Sequence, residues 1–100
     1  MGSQPQVAEP VTDQKTRLAP RFQVIIHNDD VTPADFVVHV LVGTFHKEVA
    51  CAYEIMLEAH TTGAALVTVL ALEEAEFRVE QATSLARTQK YPLTFSIEPE

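Results

Sequence analysis

Residues 22–41 read FQVIIHNDDVTPADFVVHVL. The first six are rich in β-branched side chains in rough alternation, which predicts a strand over residues 22–27. The run NDD that follows favours a turn. Thr32 and Pro33 are typical of a helix start, with Thr32 as N-cap and Pro33 in the first helical position. The stretch therefore predicts a strand, a turn and a helix.

The remaining sequence continues the alternation of helices and strands. Apolar spacing predicts a second helix over about residues 48–61, which Gly63 ends. We expect a second strand over residues 64–70, a third helix over about 73–88, and a third strand over 93–97. The order β-α-α-β-α-β predicts an α+β domain, in which three helices pack on one side of a three-stranded antiparallel sheet.

Composition limits the class of protein. The chain has 100 residues, and its 7 Lys and Arg against 14 Asp and Glu give a net charge of −7. One domain is expected at this length. The acidity argues against nucleic acid, which binds through clusters of Lys and Arg. A single cysteine excludes an internal disulfide framework and a zinc site made of several cysteines.

The N-terminus differs from the rest of the chain. Residues 1–20 contain Pro5, Pro10 and Pro20 and no apolar period, which predicts a disordered extension before a domain over residues 21–100. No stretch resembles a signal peptide or a membrane helix, so we expect a cytoplasmic protein without a membrane partner. We also expect a monomer.

Catalytic motifs are scarce. The chain has only 3 glycines and lacks a phosphate loop or dinucleotide fingerprint, and none of its 4 histidines has H-x-x-x-H spacing. We expect no enzyme activity, no cofactor and no metal. Asn28, Asp29 and Asp30 are instead candidates for a cation-binding mouth, with His60 as a further acceptor. The alternatives are a simple capped turn and a histidine at the edge of the core.

Three segments together resemble the ClpS family of bacterial proteolytic adaptors, and the pattern is also similar to diverged second copies of the adaptor. They are FQVIIHNDDVTPADFVVHVL, IMLEAHTTGAA and YPLTFSIE, within residues 22–98. The resemblance implies an adaptor for the N-end rule. Such an adaptor binds substrates whose N-terminal residue is Leu, Phe, Tyr or Trp and delivers them to the ClpA unfoldase of the ClpAP protease.

The resemblance also implies roles for particular residues. The α-amino group of the substrate would be bound by Asn28, Asp29 and His60, with Asp30 closing the acidic mouth. The first side chain of the substrate would enter a hydrophobic pocket formed by Thr32, Ala34, Val37, Met56, Ala59 and Leu93.

Other positions bear on specificity and delivery. The family commonly has Met and Val where this chain has Ala34 and Ala59, so we expect a wider pocket that accepts Ile and Val or favours the largest aromatic residues. Glu73 and Arg78 match positions that contact the unfoldase, where the basic residue is more often Lys. Residues 1–20 would be the segment that the unfoldase engages during delivery.

Three other classes of function compete with the adaptor. One is a non-catalytic interaction module of the same fold without selectivity for N-degrons. Another is a ribosome-associated structural module, which the resemblance leaves open because the ClpS domain shares its general fold with the C-terminal domain of the ribosomal stalk protein. The third is a small metal-dependent enzyme, which the absence of metal-ligand spacing disfavours.

Overall fold

A computed structural model describes residues 19–100 of the chain. This range contains β1 (Phe22–His27), α1 (Ala34–Gly43), α2 (Val49–Thr62), β2 (Ala64–Leu70), α3 (Leu72–Thr88) and β3 (Thr94–Pro99). The predicted order β-α-α-β-α-β is confirmed. The extension expected over residues 1–20 lies outside the described residues, apart from the exposed Ala19 and Pro20. No helix between residues 19 and 100 combines the length and apolar character needed to cross a membrane.

The central strand of the sheet is β1. The strand order is β2-β1-β3. Both neighbours run antiparallel to β1, which confirms the predicted antiparallel sheet. His27, at the end of β1, pairs with Ala64 at the start of β2 and with Thr94 at the start of β3. The turn after β1 therefore lies beside the end of α2 and beside the segment that enters β3, which places three loops at one edge of the domain.

One face of the sheet is buried beneath the helices. Val24 and Ile26 are 0% and 1% exposed, whereas Gln23, Ile25 and His27 are only half-buried. Helix α3 contacts all three strands, α2 packs on β2, and α1 packs on α2. These contacts confirm the prediction that the helices pack on one side. The fully buried side chains of largest volume are Ile26, Leu41, Leu93, Val24 and Val40.

The start of α1 differs from the prediction. The N-cap is Pro33, whose backbone is extended (φ −65°, ψ 146°), and the helix begins at Ala34. The expected N-cap, Thr32, lies one residue earlier, and its hydroxyl donates a hydrogen bond to the Asp29 carboxylate instead of accepting one from the helix. The cause is local competition, because a carboxylate three residues before Thr32 is a strong acceptor for its hydroxyl and its N–H.

The end of α2 agrees with the prediction. Gly63 is the C-cap and adopts a left-handed backbone with φ of 97°, a conformation that glycine adopts without the steric penalty of a Cβ atom. Its N–H donates to the Ala59 carbonyl at 2.8 Å, which closes the helix. The chain then turns directly into β2.

Candidate functional site

A cavity of about 210 Å³ opens where these three loops meet. It lies between the end of β1, the start of α1, the last turns of α2 and the residue before β3. Its lining consists of Ile26, His27, Asn28, Asp29, Asp30, Thr32, Ala34, Val37, Met56, Ala59, His60 and Leu93. All ten residues assigned to substrate binding from the sequence are in this set, so the structure brings them together in one place. Their individual roles stay predictions.

The lining is polar at the rim and apolar inside. Asn28, Asp30 and His60 are exposed, and they come from the turn after β1 and the last turn of α2. Ala59 and Leu93 are 4% and 1% exposed and form part of the interior. Carboxylate and amide oxygens accept from cationic donors, whereas a buried apolar wall accepts only groups that need no hydrogen bond. The cavity is therefore suited to a ligand with a positive end and an apolar end.

The Asp29 carboxylate is anchored within its own turn. Its Oδ1 accepts hydrogen bonds from the backbone N–H groups of Val31 (2.8 Å) and Thr32 (2.7 Å), and its Oδ2 accepts one from the Thr32 hydroxyl (2.9 Å). Each carboxylate oxygen can accept about two hydrogen bonds, so Oδ2 keeps one position for a ligand. Asp29 therefore shapes the turn and also leaves an acceptor at the cavity.

The charge on Asp29 is favoured by its surroundings. Desolvation by partial burial would raise the pKa of Asp29, but the hydrogen bonds from Thr32 and Val31, together with the positive charge of Arg87, outweigh it and lower the pKa below the ordinary range of an aspartate. The group is consequently anionic at neutral pH, as a site for a cationic ligand requires.

A backbone hydrogen bond joins the two sides of the rim. The N–H of Asn28 donates to the carbonyl of Gly63 at 2.9 Å. Asn28 begins the turn after β1, and Gly63 caps the helix that carries His60. This bond therefore keeps the turn that carries Asn28 next to the end of the helix that carries His60.

Two residues of the lining were missed from the sequence. Ile26 is a core residue of β1, and its buried position follows from the alternation of that strand. His27 lies beside the NDD turn, and its Nε2 shares a hydrogen bond of 2.7 Å with Ser96 Oγ on β3. Its place directly before Asn28 was the only available signal, because the bond to Ser96 spans 69 positions of sequence.

The two residues expected to contact the unfoldase lie outside the cavity lining, on α3. Glu73 is exposed in the first turn. Arg78 is only 22% exposed, because its guanidinium pairs with Glu74 (2.6 and 2.9 Å) and donates to the carbonyl of Thr44 (2.8 Å) at the end of α1. Arg78 thus fastens α3 to α1, and Glu73 is the more accessible of the pair.

Side chains of the types that bind metals do not cluster in the part of the chain that the structure describes. Among residues 19–100, no three His, Cys, Asp or Glu side chains come close enough together to hold a metal ion.

Comparison with known proteins identifies the class as adaptors of an ATP-dependent protease. A family model described as "ATP-dependent Clp protease adaptor protein ClpS" matches residues 17–96. This match covers most of the chain, and the chain belongs to the ClpS family.

Individual relatives agree with this assignment. A Clp protease adapter protein ClpS from Roseobacter denitrificans is 44% identical over 89 residues, which cover 89% of this chain and 79% of the relative. An adapter protein ClpS 2 from Rhizobium meliloti is 37% identical over 93 residues, covering 93% and 92%. The ClpS2 structure of Agrobacterium tumefaciens bound to L-phenylalaninamide superposes with a TM-score of 0.79 at 35% identity, covering 82% of this chain and 99% of that one.

Proposed function

We propose that the chain is an N-degron adaptor, which binds proteins through a bulky hydrophobic N-terminal residue and its free α-amino group. The observation that carries this proposal is the convergence of all ten assigned residues on one cavity with an acidic rim and an apolar interior. The phenylalaninamide bound to the Agrobacterium ClpS2 has the two features that such a cavity would select, an amino group beside an aromatic side chain.

The chemistry of the cavity supports this ligand. A free α-amino group has a pKa of about 7.7–8.0 and is mostly cationic at neutral pH. Its three N–H donors match acceptors on Asn28, Asp29 and His60. Charge-assisted hydrogen bonds contribute about 1.5–3 kcal/mol each, and burial of the first side chain contributes about 1.5–3 kcal/mol. After the cost of association, we expect a dissociation constant on the order of micromolar or somewhat tighter, which permits release.

The experiment is a binding titration with two peptides that differ only at the N-terminus. One begins with a free Phe and its twin is N-acetylated, and fluorescence polarisation measures each dissociation constant. Acetylation removes the charge and the donors, so we expect the free peptide to bind and the acetylated peptide to lose binding at least a hundredfold. A third peptide that begins with a free Asp tests the apolar interior and should also fail to bind.

The same titration addresses the other classes of function. An interaction module of this fold without N-degron selectivity would bind the free and acetylated peptides alike. A ribosome-associated structural module or a metal-dependent enzyme would bind neither. The acidic rim around an apolar interior favours the adaptor, since a purely structural module needs no acceptors there.

Delivery to a protease is the second half of the proposal. The adaptor would carry its cargo in the cytosol to ClpA, and so to ClpP, without an active site of its own. Exposed Glu73 and the partly buried Arg78, both on α3, would contact the unfoldase, and residues 1–20 would be engaged during transfer. Deletion of residues 1–20 should spare peptide binding and abolish degradation of a Phe-initiated reporter by ClpAP. Unchanged degradation would contradict this role for the segment.

A surface variant tests the contact on α3. We expect Glu73→Ala to weaken delivery at limiting adaptor concentration and to leave the peptide dissociation constant unchanged. Glu54→Ala is the matched control, because it removes an exposed carboxylate from α2 instead. Equal delivery by both variants would contradict the assignment of Glu73.

A further inference from the structure

Arg87 lies in the last turn of α3 and reaches beyond its own helix. Its Nη1 donates hydrogen bonds to the carbonyls of Tyr91 (2.7 Å) and Leu93 (2.9 Å). Both carbonyls belong to the segment that leads from α3 into β3. A single guanidinium nitrogen thus binds two carbonyls of this segment just before β3 begins.

The segment held by Arg87 forms part of the cavity. Leu93 is 1% exposed and lines the interior. Two residues earlier, the Tyr91 ring packs edge-on against Phe36 of α1, with ring centroids 4.9 Å apart and an interplanar angle of 66°. Helix α1 carries Ala34 and Val37, which also line the cavity. The position of this segment therefore determines the distance and orientation between Leu93 and the residues of α1 that line the cavity.

Arg87 also acts on the polar rim. Its positive charge is one of the causes that lower the pKa of Asp29, after the hydrogen bonds that Thr32 and Val31 donate. One side chain outside the cavity lining thus influences both the apolar wall and the acidic turn.

We propose that Arg87 is a positioning residue of the cavity, which holds the Tyr91–Leu93 segment so that Leu93 forms a fixed wall for the first side chain of the ligand. The inference deepens the proposed function and rests on it. Arg87 does not touch the ligand. It determines how strongly a bulky side chain is preferred over a small one.

A plain helix-capping role is the competing explanation. Basic side chains near a helix C-terminus stabilise it by bonding to its last carbonyls and by interacting with its dipole. The C-terminal carbonyls of α3, however, already accept from other groups. The N–H of Lys90 donates to the Arg87 carbonyl (2.9 Å), and that of Tyr91 donates to the Ala86 carbonyl (2.8 Å). Arg87 instead donates to carbonyls beyond the end of the helix. This favours a role in positioning the cavity wall over a role in capping α3.

The experiment compares Arg87→Met and Arg87→Lys with the wild-type chain. For each protein, the dissociation constants of free peptides that begin with Phe and with Ala are measured, and their ratio is the readout. A partly unfolded sample weakens both affinities equally, so the ratio does not respond to stability alone. We expect the preference for Phe over Ala to fall about tenfold in Arg87→Met, the loss typical of a removed charged hydrogen bond.

The lysine variant keeps the charge but replaces the planar guanidinium with a single ammonium. We expect it to recover part of the preference, and it decides the question if Arg87→Met does not fold. Arg21→Met is the control, because Arg21 makes an exposed pair with Glu100 (3.0 and 3.1 Å) at the other end of β1. It should keep the wild-type ratio.

The outcomes separate this inference from the proposed function. If the wild-type chain prefers Phe and both Arg87 variants keep that preference, the inference is overturned and the adaptor function stands. An equal loss in Arg21→Met also overturns it. If the wild-type chain binds neither free peptide, the proposed function fails and the inference fails with it.

Discussion

Asp29 accepts two hydrogen bonds from Thr32, one from the backbone N–H at 2.7 Å and one from the hydroxyl at 2.9 Å. The pair closes the turn between β1 and α1, and it places the predicted acceptors Asn28 and Asp30 on either side of a fixed carboxylate. The rim of the cavity is thus ordered by its own side chains before any ligand binds. Such preorganisation lowers the entropic cost of binding a ligand.

The first prediction concerns the pH dependence of stability in Asp29→Asn. An amide has one acceptor oxygen in place of two, so at pH 7 the variant should lose about 1–2 kcal/mol of unfolding free energy. The pKa of Asp29 is lowered in the folded state, so its stabilisation is fully present above the unfolded pKa of about 3.9 and is lost as the pH falls through the folded value. Thermal unfolding at pH 7 and at about pH 2 measures this.

The matched control is Asp30→Asn, which removes the exposed neighbouring carboxylate. We expect the difference between Asp29→Asn and wild type to shrink toward zero in acid, while Asp30→Asn stays close to wild type at pH 7. A destabilisation of Asp29→Asn that is the same at both pH values would contradict the ionic origin of the effect.

The second prediction concerns the size of the pocket. Ala34 is exposed at the first residue of α1, whereas Ala59 is 4% exposed on α2, and both line the cavity. Ala34→Met adds a flexible side chain at the opening and should narrow it with little loss of stability. We expect the variant to lose affinity for peptides beginning with Ile, Val or Trp relative to Leu and Phe. Titrations with all five peptides measure the profile.

A comparison with Ala59→Val tests whether a larger side chain deep in the pocket has a different effect from one at its opening. Adding methyl groups at a buried wall costs about 1–3 kcal/mol through overpacking, so this variant should lose both stability and affinity. Ala34→Met should change selectivity with an almost unchanged melting temperature. If the profile of Ala34→Met equals that of wild type, the proposal that the missing side chain widens the pocket is wrong.

The fold could be predicted because its signals are local. The alternating run in β1 and the stop at Gly63 mark element ends. The strand order β2-β1-β3 was not predicted, because the sequence of elements does not say which strands pair. The error at Thr32 has the same local origin. Thr32 can cap a helix or donate to Asp29, and spacing alone does not say which acceptor is closer in space.

The site was predicted less evenly. Ten of the twelve lining residues came from the resemblance to a family, since physical reasoning alone suggested only the NDD turn and His60 as acceptors. His27 and Arg87 were missed because their partners are reached through the tertiary fold. Ser96 lies on another strand, and the segment held by Arg87 follows a helix whose end the sequence locates only approximately.

The third prediction concerns His60. It lies exposed in the last turn of α2 and lines the rim of the cavity. If its ring nitrogen accepts from the α-amino group, His60→Ala should weaken binding of a free Phe peptide about tenfold. The ratio of affinities for free and acetylated peptides should fall by the same factor. Leu57→Ala, an exposed position one turn earlier outside the cavity lining, is the control. An equal loss in both variants would contradict a direct role for the imidazole.

The fourth prediction concerns Gly63, the C-cap of α2 that is hydrogen-bonded to Asn28 at the rim of the cavity. Gly63 has φ of 97°, and a Cβ atom added there would meet no other atom within 4 Å, so an alanine would suffer backbone strain without a clash. We expect Gly63→Ala to lose about 1–2 kcal/mol of unfolding free energy. Each kcal/mol lowers the melting temperature of a domain of this size by about 4–8 °C. Gly63→Asn should lose less, because asparagine tolerates this conformation.

The matched control is Gly43→Ala, since its added Cβ also meets nothing within 4 Å but its backbone is helical. There alanine should be neutral or slightly stabilising. Because the Gly63 carbonyl accepts from the Asn28 N–H at 2.9 Å, strain at Gly63 should also speed hydrogen exchange of the Asn28 amide. Equal melting temperatures in the two alanine variants would show that the left-handed conformation carries no cost here. Unchanged exchange at Asn28 would show that the end of α2 does not hold the rim.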